Sequence, residues 1–345
     1  MSSNHFPLAP VTTRVTDHMP SLDGLRALSA LLIVLYHAKM PYFSGGYLAV
    51  DIFFVLSGFL ITRLLLGESV RTGRIDYRAF MVRRIRRLLP ALWMMLLVYV
   101  LVSGFLFTYS PWRHHLRDAL WSAIYGVNYA TVWGDKVATL GHMWSLAVEM
   151  QFYLVWPLLF MGLRTLPLAM QQLAVLLLYI SATLWRAWLA DYSDDIWGFY
   201  VRTDAHCSGL LLGAFLALWE RRIPEVIGWL GVLLLAFAMT FFSTQWLPAA
   251  QYGFTLAELG AALIILSQPR WLSGAAWTWL AGMSYGLYLW HYPVMEALRG
   301  LGLSWWFVAL IGGSVGLLCA IASQHWLEQR FYSSRRRSAS ASARD

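Results

Sequence analysis

The chain has 345 residues, 59% of them hydrophobic and only 13% charged, with 19 tryptophans, and its mean hydropathy is +0.55. Such a composition excludes an ordinary soluble domain and predicts a polytopic membrane protein. A net charge of +8 does not point to nucleic acid here, because the arginines cluster between apolar runs as they do in cytoplasmic loops. The two cysteines, Cys207 and Cys319, stand in or beside apolar segments without metal-ligand spacing, so neither a disulfide framework nor a metal site is expected.

The polar residues 1–20 lack the pattern of a cleaved signal peptide, since the hydrophobic stretch that follows is too long and Asp23 and Arg26 interrupt its start. That first apolar run, 22–40, contains LDGLRALSALLIVLYHA, in which ten residues separate Arg26 from His37. On one helix the two lie roughly 16 Å apart, toward opposite faces of a bilayer. Ionisable groups at such depths cost ~2.5 kcal/mol or more and usually face an interior or a water-filled cavity. Arginine keeps its charge, whereas histidine exchanges a proton near neutral pH. The pair therefore predicts an anion held at one end and proton chemistry at the other.

The second run, 47–66, reads GYLAVDIFFVLSGFLIT. Asp51 there could orient a histidine or pair with an arginine, while Ser57 and Gly58 suit close helix packing. Between Arg63 and Arg87 the chain carries eight arginines, the strongest cytoplasmic marker in the sequence. At the end of this loop, in YRAFMVRRIRRLLPALW, Arg83 with Arg86 and Arg84 with Arg87 share helical faces. Clustered guanidinium groups hold phosphates well, and they also simply set topology.

Further runs follow at 88–109, 142–163, 168–190, 206–220, 225–244, 252–268, 277–298 and 303–327, with an ambiguous one at 119–133. If 119–133 dips without crossing, Arg164, Arg221, Arg222, Arg270 and the Arg335, Arg336, Arg337 tail all fall on the side of the arginine-rich loop. This predicts an all-α transmembrane bundle of about ten spans with both termini cytoplasmic. The organisation expected is a polar segment 1–20, a membrane domain 21–332 and a basic, disordered tail 333–345 near anionic lipid. On this topology His37, Glu149 of HMWSLAVEMQFYLVWP and His291 of SYGLYLWHYPV approach the outer face at similar depth. Three titratable groups meeting there is what an active site produces, although each is also an ordinary interfacial residue.

Seven stretches in order, LDGLRALSALLIVLYHA, GYLAVDIFFVLSGFLIT, FMVRRIRRLLP, HMWSLAVEMQFYLVWPLL, RTDAHCSGLLLGAFLA, SYGLYLWHYPV and HWLEQRF, resemble the acyltransferase 3 family of integral-membrane O-acyltransferases. They cover nearly the whole chain from Ser21 to Phe331. The resemblance implies transfer of an acyl group, commonly acetyl, from cytoplasmic acyl-coenzyme A to a hydroxyl at or beyond the outer face. No bound cofactor is implied. It makes Arg26 and His37 the arginine–histidine motif, Arg84 and Arg87 the paired-arginine motif, and Glu149 the acidic position. Met150 departs from the second acidic residue found in many members, and the chain is expected to lack the exported SGNH-type domain fused to many relatives.

Under that resemblance His37 is expected to act as base or as acyl-accepting nucleophile, with Glu149 or Asp51 orienting it. Arg26 would hold part of the donor, and Arg84, Arg87, Arg83 and Arg86 its phosphates. Trp144, Tyr285 and His291 are expected to line the acceptor, a cell-surface or lipid-linked carbohydrate or a small-molecule natural product, with a separate glycan-assembly partner possible. A transporter or flippase would also bury an arginine and a histidine, but no inverted repeat is recognisable.

Overall fold

The computed structural model describes residues 18–325 apart from 136, 138, 193–195, 220, 244, 245 and 247. The expected tail, most of HWLEQRF and most of the polar segment 1–20 lie outside the described residues. Within them the chain is all-helical, with α1 (Pro20–His37), α2 (Ala49–Thr72), α3 (Tyr77–Leu106), α4 (Trp112–Ala123), α5 (Val127–Val132), α6 (Trp144–Leu163), α7 (Leu168–Asp191) and α8 (Ile196–Tyr200). Then follow α9 (Thr203–His206), α10 (Ser208–Trp219), α11 (Glu225–Phe241), α12 (Phe254–Ser267), α13 (Ala275–Gly300), α14 (Trp305–Phe307) and α15 (Gly313–Ser323).

Five helical stretches are long and apolar enough to cross a membrane: Gly46–Thr72, Tyr77–Leu106, Gly141–Leu163, Leu168–Asp191 and Trp305–Ser323. Shorter apolar helices occupy Ser208–Trp219, Glu225–Phe241 and Gln251–Ser267. Large side chains such as Leu101, Leu184 and Leu233 are more than 60% exposed, which in an apolar helix means contact with lipid tails in place of water. The protein is an integral membrane protein. The ambiguous 119–133 run does not form one rod: it is divided between α4 and α5, and Tyr125 between them takes φ +55°. At about 1.5 Å per residue neither piece reaches across the ~30 Å apolar core.

The central element is α2, 78% of whose apolar window is buried, against 28% in α7. It packs most closely on α10. A Cβ on Gly58 would come within 1.9 Å of the Leu210 carbonyl oxygen, and one on Gly213 within 2.0 Å of the Val55 carbonyl oxygen. Gly209 and Gly213 stand one turn apart, the small-residue spacing that lets membrane helices touch backbone to backbone. The expected packing role holds for Gly58, whereas the neighbouring Ser57 is hydrogen-bonded to Glu149 and Tyr153 of α6. On another side, α1 packs on α13 and α13 on α15. Two polar ties reinforce the bundle. Arg186 of α7 meets Glu258 of α12 at 3.1 Å, both almost fully buried, with Ser208 of α10 bonded to the same carboxylate. Asp51 Oδ1 of α2 accepts from His206 Nε2 at 2.9 Å, also in the interior.

Candidate active site

Two cavities lie against α2. The first, about 330 Å³, is lined among others by Arg26 of α1, Ser57 of α2, Arg84 and Arg87 of α3, Glu149 and Tyr153 of α6, and Tyr285 of α13. Glu149 Oε1 accepts hydrogen bonds from Ser57 Oγ at 2.6 Å and from the Tyr153 hydroxyl, and those two hydroxyls are themselves 2.7 Å apart. Arg26 reaches Asp23 at 3.0 Å, and Asp23 also meets His18 at 2.7 Å. The Arg84 guanidinium lies over the rings of Phe80 and Tyr153, 5.5 and 5.7 Å from their centroids. Its Nε is buried without a partner. Three guanidinium groups and one carboxylate thus line this cavity, an excess of positive charge that suits an anion.

The four arginines at the start of α3 separate here. Arg84 and Arg87 line the cavity, but Arg83 is paired with Glu68 at 2.9 Å and Arg86 is exposed outside the lining. Of the four arginines expected to face the donor, only two reach this cavity, because a helix presents successive residues about 100° apart. Tyr285, expected to line the acceptor, lines this first cavity and donates to the Leu88 carbonyl at 2.9 Å.

The second cavity, about 570 Å³, is lined by His37 and by aromatic side chains including Tyr36, Tyr47, Trp144, Tyr200 and Tyr292, with His142, Lys39 and Asp135 also contributing. His37 Nδ1 is 2.8 Å from His291 Nε2, and His291 Nδ1 is 2.9 Å from the Leu287 carbonyl oxygen. Tyr292 presents its ring to His37 edge-on at 4.6 Å and stacks on His142 at 4.7 Å. Arg299 donates to the His37 carbonyl and pairs with Glu296, fixing the end of α1 against α13. Trp144 lines this second cavity, packed on Tyr200 and His206.

Depth alone placed His37, Glu149 and His291 together, but the structure joins only the two histidines. Glu149 turns toward Ser57 of α2 in the first cavity, and Asp51 is occupied by His206, whose other ring nitrogen contacts the Tyr200 carbonyl at 2.7 Å. Neither carboxylate bonds to His37. The partner of His37 is His291, 254 positions away in the chain.

Val50 and Tyr288 line both cavities, so the two compartments meet at this pair. The Tyr288 hydroxyl is 2.6 Å from Ser145 Oγ and donates to the His142 carbonyl at 2.8 Å. Sequence reasoning missed Tyr288 and His142 even though both fall inside the quoted motif stretches. It also missed Arg186 and Glu258, although a lone arginine and a lone glutamate in separate apolar runs are a signal for a buried pair.

The acyltransferase domain family matches residues 19–324. Among curated relatives, the peptidoglycan O-acetyltransferase OatA of Listeria monocytogenes is 34% identical over 318 residues, covering 82% of this chain and 50% of the relative. The O-acetyltransferase OatA of Staphylococcus aureus is 33% identical over 309 residues, covering 81% of this chain and 51% of the relative. The chain thus spans about half the length of the curated relatives it matches. No solved structure matches it significantly. With the ordered motifs, a family match across nearly all of its length and relatives above 30% identity, the chain belongs to the acyltransferase 3 family.

Proposed function

We propose that the protein moves an acetyl group from acyl-coenzyme A, entering from the cytoplasm, to a hydroxyl of a cell-surface or lipid-linked glycan at the outer face of a bacterial inner membrane. The observation that carries this reading is the pair of cavities meeting at Val50 and Tyr288, one rich in guanidinium groups and the other holding a histidine among aromatic rings. Arg84 and Arg87 bind the donor's phosphates from the cytoplasmic side, and Arg26 holds the donor further in. The ten apolar runs of the sequence would then supply the ten spans, with both termini and the arginine-rich loop cytoplasmic. Tyr36, Trp144, Tyr200 and Tyr292 give the acceptor flat apolar faces on which a sugar ring can lie, with hydroxyl and amine groups around them to fix its orientation.

In the direct route His37 takes the acceptor hydroxyl's proton while its oxygen attacks the acyl carbon; the C–S bond breaks and the departing thiolate recovers the proton. In the two-step route a His37 nitrogen attacks the acyl carbon and the C–S bond breaks to release the thiolate; the acceptor oxygen then attacks the acyl-imidazolium, the C–N bond breaks and the acceptor's proton passes to the thiolate. The peptidoglycan named in the Listeria relative supports a glycan as acceptor. A separate glycan-assembly protein would present it.

The test compares alkali-released acetate from purified cell envelopes, with mass spectrometry of the glycans, in cells lacking the gene, cells carrying it and cells carrying His37→Ala. The intact gene should add an acetyl mass to a glycan, and the variant, inserted at the same level, should add none. An unchanged acetyl content on deletion overturns the glycan reading, and a full yield from His37→Ala removes His37 from the chemistry.

A further inference from the structure

We infer that His291 is the positioning residue that fixes the tautomer of His37, so that Nε2 of His37, and not Nδ1, is the atom that acts on the acyl group or on the acceptor's proton. A backbone carbonyl oxygen can only accept a hydrogen bond. His291 Nδ1, 2.9 Å from the Leu287 carbonyl, must therefore carry a hydrogen. In an uncharged imidazole the other nitrogen is then a lone pair. His291 Nε2 is thus an acceptor, and the group 2.8 Å from it, His37 Nδ1, must be the donor. His37 then has its hydrogen on Nδ1 and a bare Nε2, on a ring that lines the second cavity.

The surroundings favour the uncharged pair and hold it in place. Among the described residues no carboxylate oxygen bonds to either ring, and Arg299 of α13, itself paired with Glu296, is a cation that donates to the His37 carbonyl. His291 has no exposed surface. Its backbone is pressed against α15 at Gly316, where an added Cβ would lie 3.0 Å from the His291 Cα. The chain of donors therefore runs in one direction, from His37 to His291 to the α13 backbone. It does the work that sequence reasoning assigned to Glu149 or Asp51, with an uncharged partner in place of a carboxylate.

The inference rests on the proposed role of His37, but it concerns an atom and can be tested apart from turnover. Both routes above use the same nitrogen: a bare Nε2 takes the acceptor's proton in one and forms the bond to the acyl carbon in the other. With the opposite tautomer, the nitrogen facing the cavity carries a hydrogen and can do neither.

The experiment is nitrogen-15 NMR of histidine-labelled protein in lipid nanodiscs, with the His37 signals assigned by their loss in His37→Gln. Wild-type His37 should show Nδ1 protonated and Nε2 bare. In His291→Leu that preference should be lost, and envelope acetylation at equal protein level should fall roughly a hundredfold, the scale of a lost general base. His291→Gln, which keeps an acceptor near the position of Nε2, should restore both the tautomer and much of the acetylation. A wild-type His37 protonated at Nε2 overturns the inference without need of any variant. So does an unchanged tautomer in His291→Leu. Should His37 show the expected tautomer while His37→Ala still acetylates, the role of His37 fails and the tautomer assignment stands.

Discussion

Replacing both Arg84 and Arg87 by lysine separates phosphate binding from topology, because the positive charge that sets orientation is retained. What is lost is planar. The Arg84 guanidinium lies 5.5 Å from the Phe80 ring centroid and 5.7 Å from that of Tyr153, an arrangement that leaves its edge, including the unpartnered Nε, free for a bidentate partner. A lysine ammonium keeps one donor point and loses the fork and the flat stacking. Losing one charge-assisted contact is worth about 1.5 to 3 kcal/mol, which is roughly ten- to a hundredfold in affinity. Equilibrium binding of coenzyme A to the purified double variant in nanodiscs should therefore weaken by that factor, with insertion and thermal stability near those of the wild type. Unaltered binding would refute the phosphate role, leave the paired arginines as topological markers and move the donor site toward Arg26.

Three further outcomes follow from the fold. Arg186→Met leaves the carboxylate of Glu258 buried without its cation, which should destabilise the protein by about 3 to 5 kcal/mol, while the double change Arg186→Met with Glu258→Met should recover most of the loss in a thermal unfolding assay. Gly58→Ala should reduce yield sharply, since its Cβ would meet backbone 1.9 Å away, whereas Gly300→Ala, with open space around it, should be tolerated. For topology, a cysteine at the exposed Ser44 should react with an impermeant reagent added outside intact cells, and one at the exposed Thr72 should not; the reverse pattern would exchange the donor and acceptor faces.

What could be read from the sequence was local along single helices. Arg26 and His37 belong to one helix, so their spacing fixed their separation, and the structure places them at two different cavities. Membrane character and the all-helical class were legible for the same reason: length and hydropathy are properties of neighbours, whereas the 119–133 run stayed ambiguous until its division between α4 and α5 was seen. The orientation of each helix about its own axis was not. Glu149 shares a depth with His37 in a linear reading, yet rotation of α6 turns it to Ser57, 92 positions away, and to Tyr153 one turn further along. Asp51 was recognised as a charge needing a partner, but His206 reaches it from 155 positions away. Pairing of this kind depends on which helices become neighbours, and that is decided by contacts such as Gly58 with Leu210 that the hydropathy pattern does not record.

The two cavities also set a physical requirement on any route between them. A polyanionic donor is stabilised where guanidinium groups outnumber carboxylates, and that condition holds in the first cavity and not around His37. Moving phosphates through the boundary would strip them of those partners in an apolar interior, which is far more costly than moving an uncharged thioester arm. The boundary suits the smaller task, since Val50 is apolar and the Tyr288 hydroxyl is already satisfied by Ser145 and the His142 carbonyl. The proposed chemistry therefore needs the donor's charged end to remain with Arg84 and Arg87 while only the uncharged acyl end passes toward His37.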